Sequence, residues 1–415
     1  MTAVEVSNSS SLGPHPRFPS SVKPGIPKLP EPKSGWSTLS IGKLFDVVER
    51  PVAMRDDEHY RLLTVKRSRG GVVEREVLPG RKISVKNQFY VKSGDFLISK
   101  RQIVHGACGF VPEELDGAIV SNEYSVLRCK PIIDPVFLLY LSFTPYFQQT
   151  CFHSSIGVHV EKMIFKLSDW FKWKIRLPSY EEQKKIASFL SSVDSKLTKL
   201  REKRELLETY KRGMMQKLFS QERRFKSDDG SELIEWEDIR AKDLFRNVSN
   251  KQHDGNLPVL SVTQDRGVIP RDEVNIDIKY DKNSLSTYKK IDVGDFVISL
   301  RSFQGGIECS MIEGISSPAY TVMKPKKDIF TDFYRHYFKK DGFIMQLSAT
   351  VIGIRDGKQI SYEAFSSLNI PYPSVSEQQK IADCLSAIDQ KIDAVAQQIA
   401  QMETFKQGLL QKMFV

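Results

Sequence analysis

The chain has little of what marks the common catalytic and membrane classes. Its five cysteines, Cys108, Cys129, Cys151, Cys309 and Cys384, are odd in number and never fall in a Cys-x-x-Cys spacing. That argues against a disulfide framework and predicts reduced, mostly buried thiols in a cytoplasmic protein. No apolar run is long and pure enough to span a bilayer. The most apolar stretch, Pro131 to Phe152, is interrupted by Asp134, prolines and polar residues, so it reads as a core helix. The first 35 residues contain no apolar signal core and are rich in Ser and Pro, which predicts a flexible extension. No phosphate loop occurs, because Gly353-Ile354-Arg355-Asp356-Gly357-Lys358-Gln359 has the wrong spacing. There is no dinucleotide-binding glycine pattern after a strand and no Asn-Pro-Pro-aromatic tetrapeptide of amino-methyltransferases. His153 and His159 have no third ligand nearby, and Asp277-Ile278-Lys279 below Asp272 is a pattern that chance supplies. These absences point to a binder, with no catalytic residue, metal or cofactor of its own.

What is present is a repeat. Val91-Lys92-Ser93-Gly94-Asp95-Phe96-Leu97-Ile98-Ser99-Lys100-Arg101 returns 200 positions later as Ile291-Asp292-Val293-Gly294-Asp295-Phe296-Val297-Ile298-Ser299-Leu300-Arg301. Trp36 returns as Trp236, and Pro178-Ser179-Tyr180-Glu181-Glu182-Gln183-Lys184-Lys185-Ile186-Ala187 returns 195 positions later from Pro373 to Ala382. A period this long is a whole domain plus a connector. Short apolar runs separated by Gly, Pro and Asp turns over 36–176 and 236–372 predict two α+β domains, each with a twisted, largely antiparallel sheet.

The connectors have a different texture. Ile186, Leu190, Val193, Leu197, Leu200, Leu207, Met214 and Leu218 follow a four-three spacing. Ile381, Leu385, Ile388, Ile392, Val395, Ile399, Met402, Leu409 and Met413 repeat it. That is the seam of a coiled coil, with Lys211 and Lys406 as polar residues in matched seam positions. Ser179 with Glu182 and Ser374 with Glu377 are capping-box starts. Each helix is expected to run about 40 residues, roughly 60 Å. The best partner for each stripe is the other stripe, antiparallel, with the two domains held apart in a pseudo-twofold dumbbell.

A net charge of +10 and a pI near 9.1 favour an anionic partner. Arg and Lys crowd the loops of both domains, Arg67, Arg69, Lys289 and Lys290 among them. The sharpest candidates follow the repeated Gly-Asp-Phe phrase: Arg101, Gln102 and His105 in one copy, Arg301, Ser302 and Gln304 in the other. A shared Arg beside unlike polar residues fits a retained scaffold with a diverging base-reading loop. Arg suits guanine and Gln suits adenine in the major groove. Pairing of Arg101 and Arg301 with acids inside the fold is the competing expectation.

The chain resembles the specificity subunits of type I restriction-modification systems over nearly everything after residue 30. The residues carrying the resemblance are the two Pro-Ser-x-x-Glu-Gln-x-Lys-Ile-Ala helix starts and the helix ends Lys211–Phe219 and Lys406–Phe414. The passage Arg223-Arg224-Phe225-Lys226-Ser227-Asp228-Asp229-Gly230 leading to Trp236 is the most specific. The resemblance implies target-recognition domains at 36–176 and 236–372, each reading one half of a split site in double-stranded DNA. It implies helices at 177–220 and 373–415, joined through a linker at 221–235, that set the unread gap and dock two methyltransferase subunits. Those partners would hold S-adenosylmethionine, and restriction subunits would use ATP and Mg. No membrane is involved. Residues 1–35 exceed the family's pattern. Two rival readings are a fused enzyme and a coiled-coil scaffold that reads no DNA; a third is a specificity subunit without active partners.

Overall fold

The computed structural model describes residues 26–225, 234–263, 266–274, 282–299, 307–350 and 360–414. The chain divides into two compact units, one of residues up to 202 with those from 396 onward, the other of residues 203–395.

In the first unit a four-stranded antiparallel sheet runs in the spatial order Phe45–Val47, Tyr124–Cys129, Phe96–Ser99 and Cys108–Phe110. The strand Phe96–Ser99 carries the repeated phrase and is buried throughout. Its alternation splits the core. Phe96 and Ile98 pack with Phe137, Phe147 and Trp170 on one face, and Leu97 packs with Leu63, Val120 and Val126 on the other. Gly94 takes a left-handed φ of 78° in the turn before it. The fully buried Asp95 accepts from the Lys92 amide at 2.8 Å and pairs with Arg50 and Arg128, each at 2.7 Å. The Gly-Asp pair therefore builds the turn that launches the central strand.

A second sheet orders Val72–Pro79, His59–Val65, Ile119–Ser121 and Gln88–Tyr90, with one parallel contact between Leu62 and Ile119. A separate pair, Ser37–Ser40 with Lys174–Leu177, brings Trp36 beside the start of the long helix.

The second unit repeats this topology. Phe245–Val248, Thr321–Pro325, Phe296–Ile298 and Glu308–Cys309 take the same order. The pairs Leu260–Thr263 with Gly267–Pro270, and Lys289–Ile291 with Gly314–Ser316, are joined by a parallel bridge from Val259 to Ile315 that matches Leu62 with Ile119. Each domain is α+β with several small sheets, rather than the one sheet expected.

The apolar stretch Pro131–Phe152 is two helices, Pro135–Leu141 and Pro145–His153, where one was expected. Pro145 has no amide to continue the first helix, and Thr144 caps the second by accepting from the Phe147 amide at 3.3 Å.

The two connectors are helices of 40 residues, Tyr180–Phe219 and Val375–Phe414. In the first unit Asp194 meets Lys406 at 2.6 Å and Arg201 meets Glu403 at 2.5 Å. Partner numbers fall as helix numbers rise, so the helices run antiparallel there. In the second unit Lys211 meets Asp389 at 2.5 Å, and Met214 and Leu218 share a core with Ile381, Leu385 and Ile388. Among the expected seam residues Leu190, Val193, Leu197, Ile381, Leu385, Ile388 and Val395 are buried. Ile186, Leu200, Leu207, Ile392 and Met402 are half-buried.

The caps form by halves. Ser179 and Ser374 accept from the amides of Glu182 and Glu377, both at 3.3 Å. The glutamates do not return the bond. Glu182 accepts from the Trp36 indole at 3.3 Å, while Glu377 accepts from the Trp236 indole at 2.9 Å and pairs with Arg224 at 2.7 Å. A tryptophan and a glutamate from the two ends of each repeat thus meet at the helix start. Residues 26–35, expected as part of a flexible extension, touch the unit at two points. Pro27 is buried, and Lys33 donates to the carbonyls of Lys412 and Met413 at 2.8 and 3.0 Å, satisfying orphan acceptors at the helix end.

Candidate nucleic-acid interface

The loop after the central strand of the first unit is held by its neighbours. Ser68 and Arg69 adopt left-handed φ values of 56° and 55°. In this turn the Ser68 amide donates to the His105 carbonyl at 2.7 Å and the Arg69 amide to that of Gly106 at 2.9 Å. Gly106 is itself left-handed at 76°, and a Cβ there would lie 2.6 Å from the Arg69 guanidinium, so no other residue fits without displacing it. The Phe165 amide donates to the Lys100 carbonyl at 2.8 Å, tying in the hairpin Ser155–Ile156 with Ile164–Phe165.

Three segments, 66–71, 100–106 and 155–165, therefore share one edge, and four of the expected residues lie on it. Arg67 and His105 converge on Glu161, at 2.9 and 3.0 Å; the His105 contact is an approach without good hydrogen-bond alignment. Arg101 is exposed and pairs with Glu123 through two contacts, at 2.6 and 3.2 Å. The alternative in which it finds an acid within the fold is the one observed. Glu123 supports it, and its hydrogen bonds raise the arginine's pKa further. Gln102 is half-buried, and its backbone organises the turn by accepting from the amides of His105 and Ala107.

Other candidates sit within the fold's own contacts. Arg69 is 5% exposed, stacked 5.6 Å over Phe143, with the Gln148 amide oxygen 2.8 and 3.1 Å from its guanidinium nitrogens when that amide is oriented to accept. It holds the turn from beneath and presents nothing to solvent. Lys289 turns inward to the Tyr320 carbonyl at 2.7 Å, and burial lowers its pKa. Lys290 bridges Glu313 at 2.7 Å and Asp292 at 3.2 Å, and those bonds raise its pKa. Arg301, Ser302 and Gln304 lie outside the described residues.

Sequence reasoning missed the acids. Glu123 stands in the phrase Ser121-Asn122-Glu123-Tyr124, and Glu161 lies in a stretch, Ile156 to Ile164, that the second copy echoes from Ile352 to Ile360 with Gly357 in place of the acid. Their signal is only that a cation-rich loop, in a protein free of DNA, needs counter-charges nearby. Among the described residues no cluster of three or more His, Cys, Asp or Glu is placed to hold a metal, and no helix is long and apolar enough to cross a membrane.

Residues 33–208 and 234–404 both match the family model described as type I restriction modification DNA specificity domain. The chain is 26% identical to the type I restriction enzyme MjaVIII specificity subunit of Methanocaldococcus jannaschii, over 90% of its own length and 91% of the relative's. It superposes with a TM-score of 0.55 and 16% identity on the type I restriction-modification S subunit from M. genitalium, covering 94% of this chain and 99% of that one. A chain from a structure concerned with assembly and conformational transition of the type I R-M system also superposes at 0.55, with 20% identity and coverage of 93% and 98%. These two likenesses concern the fold. With the family model covering most of its length in two copies, the chain belongs to the type I restriction modification DNA specificity family.

Proposed function

We propose that this chain is the non-catalytic, sequence-reading subunit of a type I restriction-modification complex in the cytoplasm. Domains at 36–176 and 236–372 each read one half of a bipartite site in the major groove of double-stranded DNA. The helices at 177–220 and 373–415, with the linker at 221–235, set the gap and dock two methyltransferase subunits. Those subunits would supply S-adenosylmethionine for adenine-N6 methylation, and restriction subunits would supply ATP- and Mg-dependent cleavage.

The observation that carries the reading is the convergence of Arg67, Arg101 and His105 on one edge of a domain whose topology is repeated. Their partners Glu161 and Glu123 are exposed. Exposed ion pairs are weak and salt-screened, so phosphates or a guanine edge can take over the guanidinium groups. Affinity should fall steeply with salt through counterion release. Docking of two identical partners is supported by Tyr210 and Phe405, which precede the matched lysines Lys211 and Lys406 and are 56% and 50% exposed. The seam residues named above are turned into the helix pair, which leaves such aromatics for a partner.

The test is an exchange of residues 36–176 for the equivalent domain of a relative, followed by mapping methylated adenines in cells carrying the matching methyltransferase. One half-site should change while the other and the gap persist. A change in both halves together would refute modular reading.

A further inference from the structure

The hairpin that completes the edge carries an unusual surface. Ile156, Val158, Val160 and Ile164 are 62%, 95%, 47% and 40% exposed within nine residues, a concentration that an isolated soluble surface does not favour. The segment is a built element. Ser155 pairs with Phe165 and Ile156 with Ile164, and the Lys166 amide donates to the Ser154 carbonyl at 2.7 Å. Phe165 and Met163 anchor it in the core. A Cβ on Gly157 would come within 2.8 Å of the Met163 backbone, so glycine is what lets the tip close. Glu161 staples the same tip to Arg67 and His105. Apolar side chains thus stand outward on the same edge as Arg67 and Arg101, with exposed Lys162 in the hairpin itself.

That alternation of charge with apolar surface complements one occupant. A DNA major groove presents phosphates at its rims and, on its floor, a single strongly apolar group, the C5-methyl of thymine. We propose that Val158, at the tip of the 155–165 hairpin, is a specificity residue of the first domain that packs on a thymine methyl in its half-site. The inference rests on the DNA-reading function argued above and deepens it: the first half-site contains at least one T·A pair read by methyl contact.

The test uses the complete complex with its methyltransferase subunits and duplexes bearing the mapped site. Each thymine of the first half-site is replaced singly by uracil, which removes the methyl and nothing else. With the unaltered chain, one replacement should weaken binding about fourfold, the worth of one buried methyl. Val158→Ser should bind thymine and uracil duplexes alike, and Val158→Thr, which keeps one methyl, should fall between. Val158 is almost wholly exposed, so neither substitution threatens folding. Equal binding to every uracil duplex by the unaltered chain would overturn the proposal, as would undiminished discrimination by Val158→Ser or a half-site without thymine. Loss of subunit assembly in Val158→Ser, with discrimination intact, would mark the tip as a protein contact and equally overturn it. A complex that binds no duplex specifically would instead remove the function on which the inference stands.

Discussion

Lys406 Nζ lies 2.6 Å from Asp194 Oδ1, with both side chains close to nine-tenths buried. The matched pair in the other unit, Lys211 with Asp389, meets at 2.5 Å. Every one of these four residues has its counterpart 195 positions away. Each helix therefore contributes one aspartate and one lysine, and the antiparallel pairing satisfies both. The Asp194 carboxylate also accepts from the Tyr140 hydroxyl at 2.9 Å, and burial together with that carboxylate holds the tyrosine well above its usual pKa. Such a pair contributes alignment more than stability, because a slipped register would strand a charge in an apolar seam.

Removing one partner should be costly. Lys406→Ala leaves Asp194 buried without its cation and should destabilise the first unit by about 3 kcal/mol. The thermal transition of that unit would fall by roughly 6–12 °C. Adding Asp194→Asn removes the stranded charge while keeping an acceptor for Tyr140, and should restore most of the loss. Scanning calorimetry of the single and double variants decides this. Equal melting of the single variant and the parent would mean the pair aligns nothing. Lys211→Ala should cost less, since its pair is 24% and 31% exposed.

The glutamine of the repeated Glu-Gln phrase bolts each long helix to its domain. Gln183 is 1% exposed; it accepts from the Asp134 amide at 2.9 Å and donates to the carbonyls of Ile132 and Pro178 at 3.0 and 3.1 Å. Gln378 repeats this with the Phe330 amide and the Pro373 carbonyl, both at 2.8 Å. Gln183→Leu would strand three backbone groups, one in a buried bond and two in part-buried ones, and should cost roughly 2–3 kcal/mol. Hydrogen exchange at the Asp134 amide should accelerate accordingly. Protection unchanged there would show that the bond is replaceable.

His336 gives the second unit a pH dependence. It is 3% exposed, with Nε2 3.1 Å from Ser386 Oγ. Burial, then Lys211 and Arg335, lower its pKa to about 3. Asp389 lies 3.8 Å from Nδ1 and would pull the other way, but its carboxylate is already engaged by Lys211. The folded-state value is below the unfolded one, so the unfolded chain binds the proton more readily. The contribution is absent above pH ~6.5 and destabilises as pH falls below it, reaching about 2 kcal/mol at pH 5. His336→Gln should flatten the loss of melting temperature between pH 6.5 and 4.5. An identical slope in the variant would place the acid sensitivity elsewhere.

The parts legible in the sequence were those governed by periodicity and repetition. The seam from Leu190 to Leu218 and its copy from Ile381 follow from a stripe that no isolated helix can bury. The doubled topology follows from the 200-residue displacement. What escaped was set by contacts distant in sequence. Trp36 stands in the sequence as half of a repeat with Trp236, yet its role lies in the indole bond to Glu182. Arg69 looks like any loop cation until Gly106 and Phe143 close over it. The break at Pro145 follows from proline's missing amide, a local signal that the apolar run around it masks.

The ruler reading makes a quantitative claim about length. Inserting four residues after Arg201, and four more after Ile399 to preserve the antiparallel ion pairs, lengthens both helices by roughly 6 Å. At 3.4 Å per base pair that is about two base pairs of additional gap. Four residues also rotate the downstream helix about 40° beyond a full turn, whereas seven residues come within about 20° of two full turns and keep the heptad in phase. Seven-residue insertions should therefore lengthen the gap by about three base pairs with less loss of affinity than the four-residue form. Methylated-site mapping reads the gap directly, with both half-sites expected unchanged. If either variant methylates the parental site with the parental gap, the helices do not measure distance.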